Sequence, residues 1–263
     1  MRGPHLRVLG ALFALVTGSA APTSACAEDT PAAIVARATD TNSLGFDHGQ
    51  AKIRMVLKEA GGSAKERSIS ARSAKEGGLA RTLIRFLSPS EVQGSAFLLL
   101  EQAGDTPDDM YLYLPALKRT RRISGNQKDG AFMGSDFSYA DMENRDAKAA
   151  TYVRKPDAVV DGVSCYDIVA KPTAGDTPYG RLELLIRQDN NLIVRTDFFD
   201  KADAPTKTYA VHTFKLVDGR PVATEAEMKT QATGHTTVIF IDSIDTQTPA
   251  SPADFTPDAL SRG

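Results

Sequence analysis

"MYLYLPALKRTRRI", residues 110–123, is the stretch on which the fold of this chain turns. Alternation puts Met110, Leu112 and Leu114 on one face of a strand and Tyr111 and Tyr113 on the other. Both faces are therefore greasy. A sheet with one face in water would show polar groups there, so this strand needs cover on both sides. A single curved sheet meets that need if its inner side encloses a cavity and helices or loops cover the rest. The strand then runs into four cations, Lys118, Arg119, Arg121 and Arg122.

Working outward, a period of two recurs along most of the chain. "KIRMVLK" sets Ile53, Met55 and Leu57 against Lys52, Arg54 and Lys58. "ERSISARSAKEG" ends at Gly77-Gly78, "LARTLIRFL" carries Ile84 and Phe86, and "SAFLLLEQ" is a short buried run. Further strands are expected at "VSCYDIVAKP", "RLELLIR" (with Leu184 and Ile186), "NLIVRTDFF", "KTYAVHTFKLV", "RPVATEAEMKT" and "TTVIFIDSI". "DNN" (189–191) and "DGRP" (218–221) read as hairpin turns. Strands separated by such tight turns predict one large antiparallel sheet. Residues 30–42 read as a first helix, capped by Thr30 with Pro31 in the first turn. Residues 124–146 keep no period, yet hold Phe132, Met133, Phe137, Tyr139 and Met142. They read as a loop with at most a short helix near 138–144. That segment and the first helix are the available covers. Residues 252–260 read as a closing helical turn.

The N-terminus reads as a secretion signal. Arg2 and Arg7 precede the apolar run 8–21, too short for a membrane span, and "ACA" (25–27) is a small-x-small cleavage site. Residues 1–27 are thus read as a signal peptide, with a single domain over 28–263 exported to the periplasm. The rival reading makes Cys26 a lipid-anchored cysteine, although Thr23 stands where such sites usually want leucine. Cleavage leaves 29 basic and 33 acidic side chains, a balance that gives no support to a nucleic-acid partner. Cys165 is then the lone thiol, read as a small buried apolar group.

No catalytic constellation is visible. His48, His212 and His235 form no metal-binding pair, and no nucleophile elbow, phosphate loop or dinucleotide fingerprint occurs. Asp108 and Asp109 read as a turn before a strand. Asp136, Asp141, Glu143 and Asp146 lack calcium-loop spacing and read as solvated caps and turns. The cations at 118–122 either keep a strand edge soluble or contact an anionic headgroup or acidic partner. The apolar residues of 124–146 are either the buried side of a folded loop or a lid. Neither enzyme nor cofactor is expected.

The runs "FLSPSEVQGSAFLL" (86–99) and "DDMYLYLPALKRTRRISGNQKDGAFMGSDFSYADM" (108–142) resemble the outer-membrane lipoprotein-sorting proteins, in particular their LolA-like branch associated with exporter-type permeases. The resemblance implies a mainly β fold: a strongly curved antiparallel half-barrel whose concave side is closed by short helices or a loop. It also implies a periplasmic carrier, with no enzymatic activity, that holds a lipid or a lipoprotein acyl chain and passes it between membrane partners. An inner-membrane permease and an outer-membrane acceptor are the partners implied, and the carrier is read as a monomer. The alternative is a sensor of the same fold that signals its ligand state to a membrane protein. On either reading a cavity of roughly 300 Å³ or more is expected. Its lining is drawn from Ile53, Met55, Leu57, Ile84, Phe86, Met110, Leu112, Leu114, Leu184 and Ile186. Phe132, Met133, Phe137, Tyr139 and Met142 form the lid, and Lys118, Arg119, Arg121 and Arg122 meet a headgroup or partner.

Overall fold

A computed structural model of the protein describes residues 29–40, 44–104, 106–143, 150–173 and 177–262. The signal segment, the Glu28 start, Cys26 and Asp146 lie outside them. The described residues begin with a helix, α1 (Pro31–Ala38), followed by β1 (Gly49–Lys58), β2 (Ala64–Glu76), β3 (Leu79–Ser88), β4 (Ala96–Leu100), β5 (Asp109–Leu114) and β6 (Arg119–Ile123). Three short 3-10 turns occupy the segment from Gly125 to Met142. Then come β7 (Ala150–Arg154), β8 (Ala158–Val160), β9 (Val163–Pro172), β10 (Tyr179–Arg187), β11 (Ile193–Asp200), β12 (Pro205–Val217), β13 (Arg220–Thr230) and β14 (Thr236–Asp245). Two further 3-10 turns, Pro252–Asp254 and Pro257–Ser261, end the chain.

The strands form one antiparallel sheet in the order β6-β5-β4-β3-β2-β1-β14-β13-β12-β11-β10-β9-β7, with β8 also paired to β9. The sheet does not close: β6 and β7 are its free edges. The first and last strands meet near its middle, where Ile53 pairs with Ile241 and Met55 with Ile239. Gly49 is required at the end of that pairing. Its φ is +115°, and a Cβ there would stand 2.3 Å from the Asp245 carbonyl oxygen. The hairpins follow from local chemistry. Gly77 and Gly78 take φ of 59° and 84°, and Asp218 and Gly219 take 49° and 79°, the left-handed pairs that two-residue turns need.

Strand β5 receives its two covers from different ends of the chain. On the concave side Met110 and Leu112 are buried with Phe86, Phe97 and Leu99, under Phe132 and Tyr139 of the 125–142 segment. On the convex side Tyr111 and Tyr113 pack with Leu83, Ala96 and Leu98 against Phe255 and Leu260 of the C-terminal turns. Here the structure differs from the expectation that the first helix supplies a cover for this strand. Helix α1 sits at the other end of the sheet, with Ile34 and Val35 against Ile168, Ala170, Leu184 and Ile186 of β9 and β10. The reason lies in its length. Eight residues bury only two large side chains, enough for β9 and β10 alone. Thr30 does cap it, accepting from the Ala33 amide at 3.3 Å.

Two other expectations change. Residues 252–260 form two tight turns rather than one, each opened by a proline and capped by Ser251 or Thr256. Strands β7 and β8 lie where no element is expected from the sequence pattern. Cys165 is buried on β9, where burial pushes its thiol upward.

If the C-terminal turns are the convex cover, Leu260→Ala should cost about 2–5 kcal/mol. Leu216→Ala, at a side chain 65% exposed, should change stability little. Urea denaturation of the two variants checks this. Equal midpoints would mean that the C-terminal turns are dispensable.

Candidate functional site

Between α1 and the 125–142 segment the concave face is left unfilled. A cavity of about 670 Å³ lies there. Its floor comes from six strands of the middle of the sheet: Ile53 and Met55 of β1, Ile239 and Ile241 of β14, Ala226 and Met228 of β13, Tyr209 of β12, Phe198 of β11 and Leu184 of β10. Ala223 joins Ala226 on this face because β13 carries an extra residue between the partners of Thr213 and Phe214. Phe132, Phe137 and Met142 close one side, and Ala38 and Thr39 at the end of α1 close the other.

The charged groups that border the cavity are paired. Arg37 holds Asp29 through two hydrogen bonds of 3.1 and 2.7 Å, and Arg220 lies 3.3 Å from Asp47 and 3.6 Å from Asp40. Asp141 accepts from the Tyr179 hydroxyl at 2.7 Å, Lys207 Nζ at 2.6 Å and the Ser138 amide at 2.7 Å. Among the described residues no group of three or more histidine, cysteine or acidic side chains could hold a metal.

The 125–142 segment is fastened to the sheet by buried polar bonds. The Asp136 carboxylate, 3% exposed, accepts from the hydroxyl of Thr237 at 2.6 Å, the hydroxyl of Thr230 and Nδ1 of His235 at 2.6 Å. A carboxylate only accepts, so Nδ1 of His235 carries the proton. The backbone amide of Asp136 donates to the same Thr237 hydroxyl at 2.9 Å. Lys128 pairs with Glu143 almost out of contact with water. Arg67 of β2, on the inward face with Ile69, donates to the Met133 carbonyl and stands 5.9 Å over the Phe86 ring. Burial lowers its pKa against the pull of Glu91. The reading of Asp136, Asp141 and Glu143 as solvated caps is therefore corrected. Asp141 does cap the turn at Ser138, but all three carboxylates are shielded by the sheet or by each other's cations.

Of the residues singled out in the sequence, Ile53, Met55, Ile84 and Leu184 border the cavity. Leu57, Phe86, Met110 and Leu112 belong to the adjoining packed core, with Leu114 partly buried against it, and Ile186 lies under α1. Phe132 is 1% exposed, with its ring 6.0 Å from Phe86, 5.2 Å from Phe97 and 5.6 Å from Tyr139. Phe132 and Tyr139 thus anchor the segment, while Phe137 and Met142 face the cavity and Met133 packs against the core. Burial raises the Tyr139 phenol, against the opposing effect of Arg121. Lys118, Arg119, Arg121 and Arg122 are exposed on or beside the edge strand β6, away from the cavity lining. Arg122 pairs with Asp109. His212 is half exposed beside Glu227, and His48 is exposed. Tyr209, Phe198, Met228, Ile239 and Ile241 were not singled out, although all lie in strands that the sequence marks.

A cavity framed by a curved sheet, one helix and one strapped loop can be compared with known folds. A family model described as an uncharacterized protein matches residues 78–262. A lipoprotein-sorting domain described as putative, from Vibrio parahaemolyticus, superposes with a TM-score of 0.82 at 27% identity, over 88% of this chain and 98% of that one. The chain belongs to the family of that model, and it is similar to the outer-membrane lipoprotein-sorting domain in fold and sequence. A DUF1329 family protein from Desulfovibrio piger is similar in the same way (TM-score 0.81, 29% identity, 88% and 97% covered). A LolA superfamily protein from Nitrosomonas europaea shares the fold at 15% identity, with a TM-score of 0.68 over 87% and 98% of the two chains. No curated protein matches the sequence.

Removing the Asp136 side chain would leave two hydroxyls and an imidazole without their acceptor. Asp136→Ala should therefore cost about 3 kcal/mol, and Asp136→Asn less, since its amide oxygen still accepts. Thermal unfolding of the two variants checks this ranking. An Asp136→Ala protein as stable as the parent would show that the segment is held by its aromatic anchors alone.

Proposed function

We propose that the protein is a periplasmic carrier that binds an acyl chain of a lipid or lipoprotein in the concave cavity. The observation that carries this is the unfilled 670 Å³ space with its largely aliphatic and aromatic floor, in a fold whose convex side is covered over β3 to β5. Folding would ordinarily fill such a space with side chains, because close packing is favourable. A cavity of this size and lining instead suits a flexible hydrocarbon guest, each of whose methylenes gains about 0.8 kcal/mol by leaving water. Similarity to the lipoprotein-sorting domain of Vibrio parahaemolyticus supports the reading.

No covalent chemistry is involved. Loading and release follow differences in affinity between donor, carrier and acceptor. The donor and acceptor in this reading are an inner-membrane permease and an outer-membrane site. The exposed cations at 118–122 serve as the contact with anionic headgroups or an acidic partner face. The 125–142 segment is the closure, with Phe137 and Met142 over the guest. No helix among the described residues is long and apolar enough to cross a membrane. The signal segment provides export.

Filling the cavity tests the reading. Ala226→Phe places a ring where the guest would lie and should weaken binding of a fluorescent fatty-acyl probe at least about tenfold, equivalent to about 1.4 kcal/mol. The melting temperature should hold or rise. Unchanged probe affinity in a folded Ala226→Phe protein would refute the cavity as the binding site.

A further inference from the structure

Tyr209 and Thr196 stand apart among the polar side chains that border the cavity, and of the two Tyr209 carries the larger donor group. Asp141 is occupied by Tyr179, Lys207 and Ser138, and Arg37 and Arg220 by carboxylates. The Tyr209 hydroxyl makes no hydrogen bond with any described residue. Its ring is held against Phe137, with centroids 6.4 Å apart, and its accessible surface borders the cavity. Phe198, Met228 and Ile241 share that lining. Burial alone pushes the phenol up to about 12, so it stays protonated and available as a donor.

The side chain is partly exposed toward the cavity, and Phe would pack the same ring without placing a donor there. The donor is explained if the cargo completes it. We propose that Tyr209 donates a hydrogen bond to an ester or amide carbonyl of the cargo, so that the cavity selects acyl lipids over hydrocarbon chains lacking a carbonyl. This rests on the carrier reading and deepens it. The acceptor must be neutral. A carboxylate drawn into this part of the cavity would find no uncommitted cation, because Lys207 is already engaged by Asp141. An ester or amide linkage, as joins an acyl chain to glycerol or to a lipidated cysteine, provides a strong acceptor at little desolvation cost. An ether oxygen at the same place is a poorer one.

The test compares two probes of equal chain length, a monoacylglycerol and its alkyl-ether analogue, on the wild-type protein and Tyr209→Phe by displacement of a fluorescent fatty-acyl probe. Wild type should prefer the ester by roughly threefold to tenfold, the worth of one net hydrogen bond. Tyr209→Phe should lose that preference while binding the ether as before. Equal wild-type affinities, or a preference that survives in Tyr209→Phe, would overturn the role of Tyr209 and leave the carrier standing. Failure of folded wild-type protein to bind either probe would overturn the carrier reading and this inference together. The wild-type comparison stands even if the variant folds poorly.

Discussion

The structure depends on one constraint: an open, curved sheet of fourteen strands has more apolar surface than the other described residues cover. Outside the sheet the described chain offers an eight-residue helix, a segment of short turns at 125–142 and two closing turns. The helix protects β9 and β10, the segment protects β3 to β6, and the closing turns protect the outside of β3 to β5. What they leave bare is the middle of the concave face, where β1, β14 and β13 meet. The cavity is this remainder, and its apolar lining is a direct consequence of strand alternation over an uncovered stretch.

Such an arrangement needs its covers fixed from afar. The segment at 125–142 has no regular backbone ladder to hold it. Its aromatic anchors, Phe132 and Tyr139, bind it to one half of the sheet, and the carboxylates of Asp136 and Asp141 bind it to the other. The division matters for the proposed carrier. Apolar anchoring near β3 to β5 resists opening, whereas polar bonds toward β10 to β14 can be exchanged for water when the segment moves. Phe137 and Met142 stand on the exchangeable side, over the cavity.

Much of the sheet was legible because its signals are local. Alternation in β1 and β3, paired glycines at 77–78 and the Asp-Gly turn at 218–219 act within a few residues. The double-faced β5 announced two covers. The identity of the outer one was hidden, since Phe255 and Leu260 are isolated apolar residues among prolines. Strands β7 and β8 were hidden by charged and proline residues between Tyr152 and Val160, on a free edge where alternation is weak. The lining was half legible. Ile53, Met55, Ile84 and Leu184 were named, but which face of β11 to β14 turns inward depends on bulges such as that in β13. The polar fastening was illegible for a plainer reason. Asp136 meets Thr230, His235 and Thr237 across separations of 94 to 101 residues, and no local pattern encodes that meeting.

That the bare concave face exists to hold an acyl guest is tested most directly by native mass spectrometry of protein purified without detergent, followed by lipid extraction. The expected spectrum contains a population carrying one lipid beyond the polypeptide mass, with an acyl linkage in the extracted species, and this population disappears in Ala226→Phe. Bare polypeptide alone in the wild-type spectrum, or an equal lipid load in the two proteins, would contradict it.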